Sequence, residues 1–237
     1  MGRIILVDGQ RGGVGKSIYS RFLNHYLTEK QHPYNFVDAD PNPDVFEVYG
    51  GQKDIQFVVS DEQSMLVSDQ ASLPDKLVDL AIYQDVLVNL PGKAHDSVKF
   101  WILSNELLDS AFVEETKVSF IKFFLTNGTQ DSLGLFEDSL LTYDGKIPHY
   151  LVKNMAFIAD WEEVIQTETY QRIKNDHSFE TLLLPALRKS ELKFIIKSGK
   201  TFKAVEDDLQ LLGKKRLKNF IDGASEDLER LEVFVNG

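Results

Sequence analysis

The residues Asp8-Gly9-Gln10-Arg11-Gly12-Gly13-Val14-Gly15-Lys16-Ser17 constrain this chain more than any other stretch. They follow the apolar run Ile4-Ile5-Leu6-Val7 and lead into Ile18–Leu27, where apolar residues recur at helical spacing. Gly9, four intervening residues, then Gly15-Lys16-Ser17 fit the phosphate-binding pattern G-x-x-x-x-G-K-[ST] in full. They do so between a strand and a helix, as that pattern requires. Glycine is needed because the backbone must wrap closely enough to aim N–H groups at phosphate oxygens. The N-terminus of the following helix adds partial positive charge. The pattern assigns Lys16 to the β- and γ-phosphates of a nucleotide and Ser17 to Mg²⁺.

A chain of 237 residues has room for one large α/β domain or two small ones. Its 43% hydrophobic and 27% charged residues suit a globular protein. No apolar run is long enough to span a bilayer. Met1-Gly2-Arg3-Ile4 passes straight into the first strand, unlike a signal peptide, so a cytoplasmic location without a membrane partner is expected. The absence of cysteine excludes disulfides, thiolate catalysis, cysteine-ligated zinc and iron–sulfur clusters. A net charge of −11 argues against coating nucleic acid over the whole surface. The charge is uneven, however. Residues 188–218 hold ten Lys/Arg and four acids, which makes that segment +6 and the remainder −17.

Taken in order, apolar runs and turn signals predict alternating strands and helices. Strands are expected at 4–7, 34–37, 54–59, 64–67, 85–89, 118–125, 150–154 and 180–184. Helices are expected from Ile18 to about Lys30, over Leu73–Ile82 (Ser72 as cap, Pro74 in its first turn), Ala94–Phe112 and Asp131–Leu141. Residues 156–179 read as loop and helix. Four helices, at about 187–197, 203–212, 214–221 and 224–234, end the chain. Pro41 and Pro43 force a loop after the second strand. This alternation predicts one domain over 1–237, with a doubly wound, mostly parallel sheet, helices on both faces, and the C-terminal helices packed on it. Ligands bind such sheets at the carboxyl ends of strands. Gly9–Ser17, Asp38 and Asp40, Asn89-Leu90-Pro91, Asn154 and Pro185 all fall there.

Arg11-Gly12-Gly13-Val14-Gly15-Lys16-Ser17 closely resembles the deviant Walker A motif K-G-G-x-G-K-[ST] of the MinD/ParA class of P-loop ATPases. Asp38-Ala39-Asp40-Pro41-Asn42 resembles that family's D-x-D-P-Q first switch, and Asp85–Gly92 its Walker B segment. Val152-Lys153-Asn154 and Leu184-Pro185 resemble its adenine-contacting turns. The resemblance covers about residues 3–200. The Gln10-Arg11 start is most similar to plasmid partition, stability and conjugation relatives. The branches that need cysteines are excluded. The resemblance implies a P-loop NTPase fold that binds ATP and Mg²⁺. It places Gly12, Gly13, Val14, Gly15, Lys16, Ser17 and Ile18 at the phosphates, and Asn154 and Pro185 at the base. Ser17 and, through water, Asp38 would hold the metal. Lys16, Asp40 (orienting the attacking water) and Arg11 would be catalytic. Arg11 stands where the family has a lysine that reaches across an ATP-sandwich dimer; arginine keeps the charge and offers a planar fork to phosphate. Asn89 stands in place of the Walker B aspartate.

The expected function is therefore an ATP-hydrolysing dimeric switch in plasmid partition or conjugative transfer, with a rate lowered by Asn89. The basic segment 188–218 would contact DNA non-specifically. One alternative is a hydrolysis-weak, nucleotide-gated adaptor that binds a partition or relaxosome protein. Another is a metabolic ATP-dependent ligase, for which His95 is the nearest candidate group.

Overall fold

The computed structural model describes residues 2–9, 12–57, 73–157 and 160–234. The elements run β1 (Arg3–Asp8), α1 (Lys16–Glu29), β2 (Tyr34–Asp38), α2 (Phe46–Tyr49), α3 (Lys76–Ala81), β3 (Asp85–Asn89), α4 (His95–Ser104) and α5 (Ser110–Thr116). They continue β4 (Ser119–Thr126), α6 (Gln130–Tyr143), β5 (His149–Asn154), α7 (Trp161–Gln166), α8 (Glu168–Asp176), β6 (Glu180–Leu184), α9 (Lys189–Ser198), α10 (Phe202–Glu206) and α11 (Leu211–Arg230). Six strands form one sheet in the order β2-β3-β1-β4-β5-β6, and every pairing is parallel. The glycine-rich loop thus leaves the sheet from β1, between β3 and β4.

Strand alternation sorts the apolar side chains to two faces. Ile5, Val7, Leu87, Phe123 and Leu125 pack with Tyr19, Phe22 and Leu23 of α1 and with Leu217, Phe220, Ala224 and Leu228 of α11. On the other face Ile4, Leu6, Val86 and Val88 meet Leu77 of α3 and Val98, Trp101 and Ile102 of α4. Phe124 and Leu151 extend that face under α6, α7 and α8 through Phe136, Trp161 and Ile173. Each such fully buried side chain contributes about 1.5–3 kcal/mol, so the central strands are the rigid frame from which the loops project.

Several boundaries differ from expectation. The helix expected over 94–112 divides into α4 and α5, because Asn105 turns its amide onto the Trp101 carbonyl and Glu106 takes a left-handed backbone (φ 51°). Residues 54–57 are not a strand; Val37–Gln52 is an isolated bridge instead. The rest of that run, the strand expected at 64–67 and Ser72 lie outside the described residues. The expected helices 214–221 and 224–234 are one helix, α11. Gly223, within that helix, is a close-approach site: a Cβ there would lie 3.0 Å from Cγ of Pro185.

Candidate functional site

Loops at the carboxyl ends of β1, β2, β3 and β5 converge on the start of α1. The first helical residue, Lys16, follows Gly15, whose backbone is left-handed (φ 107°). A Cβ on Gly15 would lie 2.4 Å from Nδ2 of Asn154, so only glycine fits. Around Gly12 and Gly13, in contrast, the space is open. The N-terminus of α1 has no side-chain cap and no acid in its first turn. Exposed glycines, an uncapped positive helix end and a lysine aimed back into the loop fit a polyphosphate. Ser17 is half-buried in the first turn of α1, and its hydroxyl is the group there that could hold a cation. Gln10 and Arg11 lie outside the described residues. Val14 is buried and anchors the loop in the core, and Ile18 packs partly against the same cluster.

Lys16 is 7% exposed, and its Nζ donates to the Gly9 carbonyl at 3.1 Å. Burial pulls its pKa below the ordinary lysine value, opposed by the negative charges of Asp8 and Asp40. Asp8, the last residue of β1, accepts from the Gly9 N–H at 2.6 Å. It also forms a fully buried ion pair with Lys122 of β4 at 2.8 Å. Burial alone would raise the Asp8 carboxyl, but the charge of Lys122 and the Gly9 N–H outweigh it and hold it below its usual range. Lys122 also sits 5.1 Å from the centre of the Tyr143 ring. Neighbouring His149 is driven down to about 3, by burial first and then by Lys122. Its Nδ1 donates to the Ile147 carbonyl, and its Nε2 pairs with the Ser139 hydroxyl. The pair therefore props the first peptide of the loop from beneath. Sequence reasoning gave neither residue a role; the signal was a lone lysine inside the apolar strand 118–125.

Asp38 and Asn89 are opposite in the β2–β3 register. Asn89 Nδ2 donates to Asp38 Oδ1 at 2.8 Å, while Asn89 Oδ1 accepts from the Ser20 hydroxyl of α1 at 2.9 Å. Asp38 Oδ2 accepts from the Val45 and Phe46 N–H groups at 3.1 and 3.0 Å and so starts α2, a helix the sequence did not signal. Burial raises the Asp38 carboxyl above its usual range, against the opposing hydrogen bonds of Asn89 and Phe46. Asn89 is thereby explained. An amide can donate to a buried carboxylate and accept from a hydroxyl, which a second carboxylate cannot do.

Asp40 is half-buried, caps its own turn through the Asn42 N–H at 3.0 Å, and is close enough to oppose deprotonation of Lys16. Arg21 of α1 ties down the same segment through the carbonyl and carboxylate of Asp44 at 2.9 and 3.0 Å. Asn154 is buried and donates to the Val14 carbonyl at 2.8 Å; its Oδ1 accepts from Ala156 N–H at 2.9 Å. It braces the loop with both ends of its amide. Pro185 packs on α11 at Gly223. His95 lies on α4 against Thr142 of α6, and burial lowers its pKa. Of the ten cations in 188–218, five are held by acids: Lys200 by Asp208, Lys203 by Glu29, Lys214 by Asp207, Arg216 by Glu191 and Lys218 by Asp222. No helix among the described residues is long and apolar enough to cross a membrane.

No family model matches the sequence. In structure, the chain is similar to the cell division ATPase MinD of Pyrococcus furiosus, with TM-score 0.57 and 17% identity over 98% of this chain and 100% of that one. The fold is that of the MinD/ParA-type P-loop ATPases. A candidate plasmid partition protein of Borrelia burgdorferi bound to AMPPNP is similar at TM-score 0.52 and 14% identity, over 97% of this chain and 100% of that one. In sequence, the chain is 27% identical to Protein MobD of Acidithiobacillus ferrooxidans over 161 residues. That match spans 65% of this chain and 64% of the relative's own length.

Proposed function

We propose that this chain is an ATP-binding switch with slow ATPase activity that dimerises on ATP and acts in plasmid partition or conjugative transfer. One observation carries the reading: an uncapped helix N-terminus behind open glycines, with a buried lysine held on the loop's own Gly9 carbonyl at 3.1 Å. The MinD/ParA-type fold and the likeness to MobD support the cellular role. Lys16 exchanges the Gly9 carbonyl for the β/γ-phosphate oxygens, while the backbone of Gly12 to Ile18 supplies N–H donors. Ser17, with Asp38 behind it, would hold Mg²⁺, which when bound would supply charge neutralisation at the phosphates. Asp40 orients the attacking water, and Arg11 of a second chain completes the site across a face-to-face dimer. Asn154 holds the loop in register for the base, with Pro185 at its edge.

The buried Asn89–Asp38 contact favours the slow end of this range. No free carboxylate stands at the end of β3, so the nucleotide state outlasts binding and can recruit a partner protein. Titration with a fluorescent ATP analogue, followed by phosphate release, tests the reading. Saturable, Mg²⁺-dependent binding that weakens about a hundredfold in Lys16→Ala is expected, the scale of one charge-assisted contact. Binding unchanged by Lys16→Ala would contradict it.

A further inference from the structure

Helix α11 carries its charges against its own dipole. Lys214, Lys215, Arg216 and Lys218 lie in its N-terminal half, and Asp222, Glu226, Asp227 and Glu229 in its C-terminal half. A helix favours acids at its positive N-terminus and bases at its C-terminus, so this order disfavours the helix that carries it. Contacts within the molecule account for part of it. Arg216 is held by Glu191, Glu229 by Lys30, and Asp227 by the Leu183 N–H and Arg230. Lys218 pairs with Asp222 on the same exposed surface. Lys215 and Glu226 are exposed and have no ion-pair partner among the described residues. The buried stripe Gly213, Leu217, Phe220, Ala224 and Leu228 faces inward, so helical periodicity puts Lys215, Asn219, Asp222 and Glu226 in one outward row. At the basic end of that row Leu211 and Leu212 are 81% and 64% exposed.

We propose that this face of α11 pairs antiparallel with the same face of a second copy of this chain. Lys215 of one copy then meets Glu226 of the other, twice over by two-fold symmetry, across a span of about 16 Å along the helix. The exposed Lys218 and Asp222 line the centre, the two helix dipoles oppose, and the exposed leucines cover the ends. A nucleic acid fits this row poorly: its acidic half repels phosphate, and five of the ten cations of 188–218 are already held by acids. The contact is separate from closure over nucleotide and does not rest on it. One helix face per copy is smaller than a standard interface of about 1,600 Å², so the association is weak and salt-sensitive.

Sedimentation equilibrium of the nucleotide-free chain at about 10⁻⁴ M, where a small polar interface becomes populated, tests this directly. The variants are Lys215→Glu, Glu226→Lys and the double reversal. Expected is a dimer at low salt that weakens about tenfold in high salt and in each single reversal, and recovers in the double reversal. A monomer throughout, single reversals without effect, or no recovery in the double reversal would overturn the proposal. So would a low-salt monomer that binds duplex DNA and loses it in Lys215→Glu, since that assigns the cations to nucleic acid. Because nucleotide is absent, failure here leaves the ATP-dependent dimer untouched, and failure of that dimer leaves this contact untouched.

Discussion

Asn89 stands where a carboxylate would meet Asp38 at 2.8 Å. Asn89→Asp places two buried acids side by side and removes the only donor that Asp38 Oδ1 shares with β3. A loss of about 1–3 kcal/mol in unfolding free energy is expected, read from urea midpoints, with the larger loss at pH 7 than in acid, because adjacent carboxylates repel once charged. No loss would show that the contact is incidental. The Asp8–Lys122 pair makes a stronger claim. Lys122→Met leaves a buried carboxylate alone and should cost about 3–5 kcal/mol, while Asp8→Asn together with Lys122→Met should recover part of it. A double variant no better than the single one would mean that the pair does not act as a unit. These residues show what could be read from the sequence. The loop pattern fixes the spacing of Lys16 and Ser17, and so their place at the start of α1 was legible. Asn154 was expected at the base; that it also braces Val14, a contact 140 residues away, is something no local pattern encodes.

At the scale of elements, the strands were legible and the helix ends less so. Apolar runs between turn residues marked the six strands well, since a parallel strand covered on both faces is nearly all apolar. The two helices expected at 214–221 and 224–234 run on as one through Gly223, whose missing side chain admits Pro185. Gly223→Ala should therefore show none of the gain of about 1 kcal/mol that alanine ordinarily brings to a helix interior; thermal unfolding measures this. The start of β3 sets a pH dependence. Asp85 accepts from the Arg3 N–H, Nε and Nη2 and from His32 Nε2, and Arg3 Nη1 donates on to the Val233 carbonyl past the end of α11. Burial raises the Asp85 carboxyl, but the hydrogen bonds and charge of Arg3 outweigh it and hold it below its usual range. A depressed folded pKa gives stability that is present above the unfolded value of about 4 and is lost as pH falls through the folded one. Asp85→Asn should thus be less stable than wild type at pH 7, with the gap closing in acid. An equal gap at both pH values would contradict this.

Across the whole molecule, the nucleotide loop, the 38–46 segment and the loop after β5 are linked to one another by buried polar contacts. Asn154 holds Val14, Asn89 joins Asp38 to Ser20, and Arg21 holds Asp44. In the proposed switch these contacts are the route by which a change at the phosphates would reach the 38–46 segment. The overall architecture was readable from one motif and the alternation of strands with helices. The partner surfaces were not, because the pairing of the cations of 188–218 with acids depends on tertiary contacts. Light-scattering mass with ATP and Mg²⁺, with ADP and without nucleotide, for wild type and Lys16→Ala, tests the central claim most directly. At concentrations too low for weak association, a dimer formed only with ATP and absent in Lys16→Ala is predicted. The same mass in all three nucleotide states would contradict the switch.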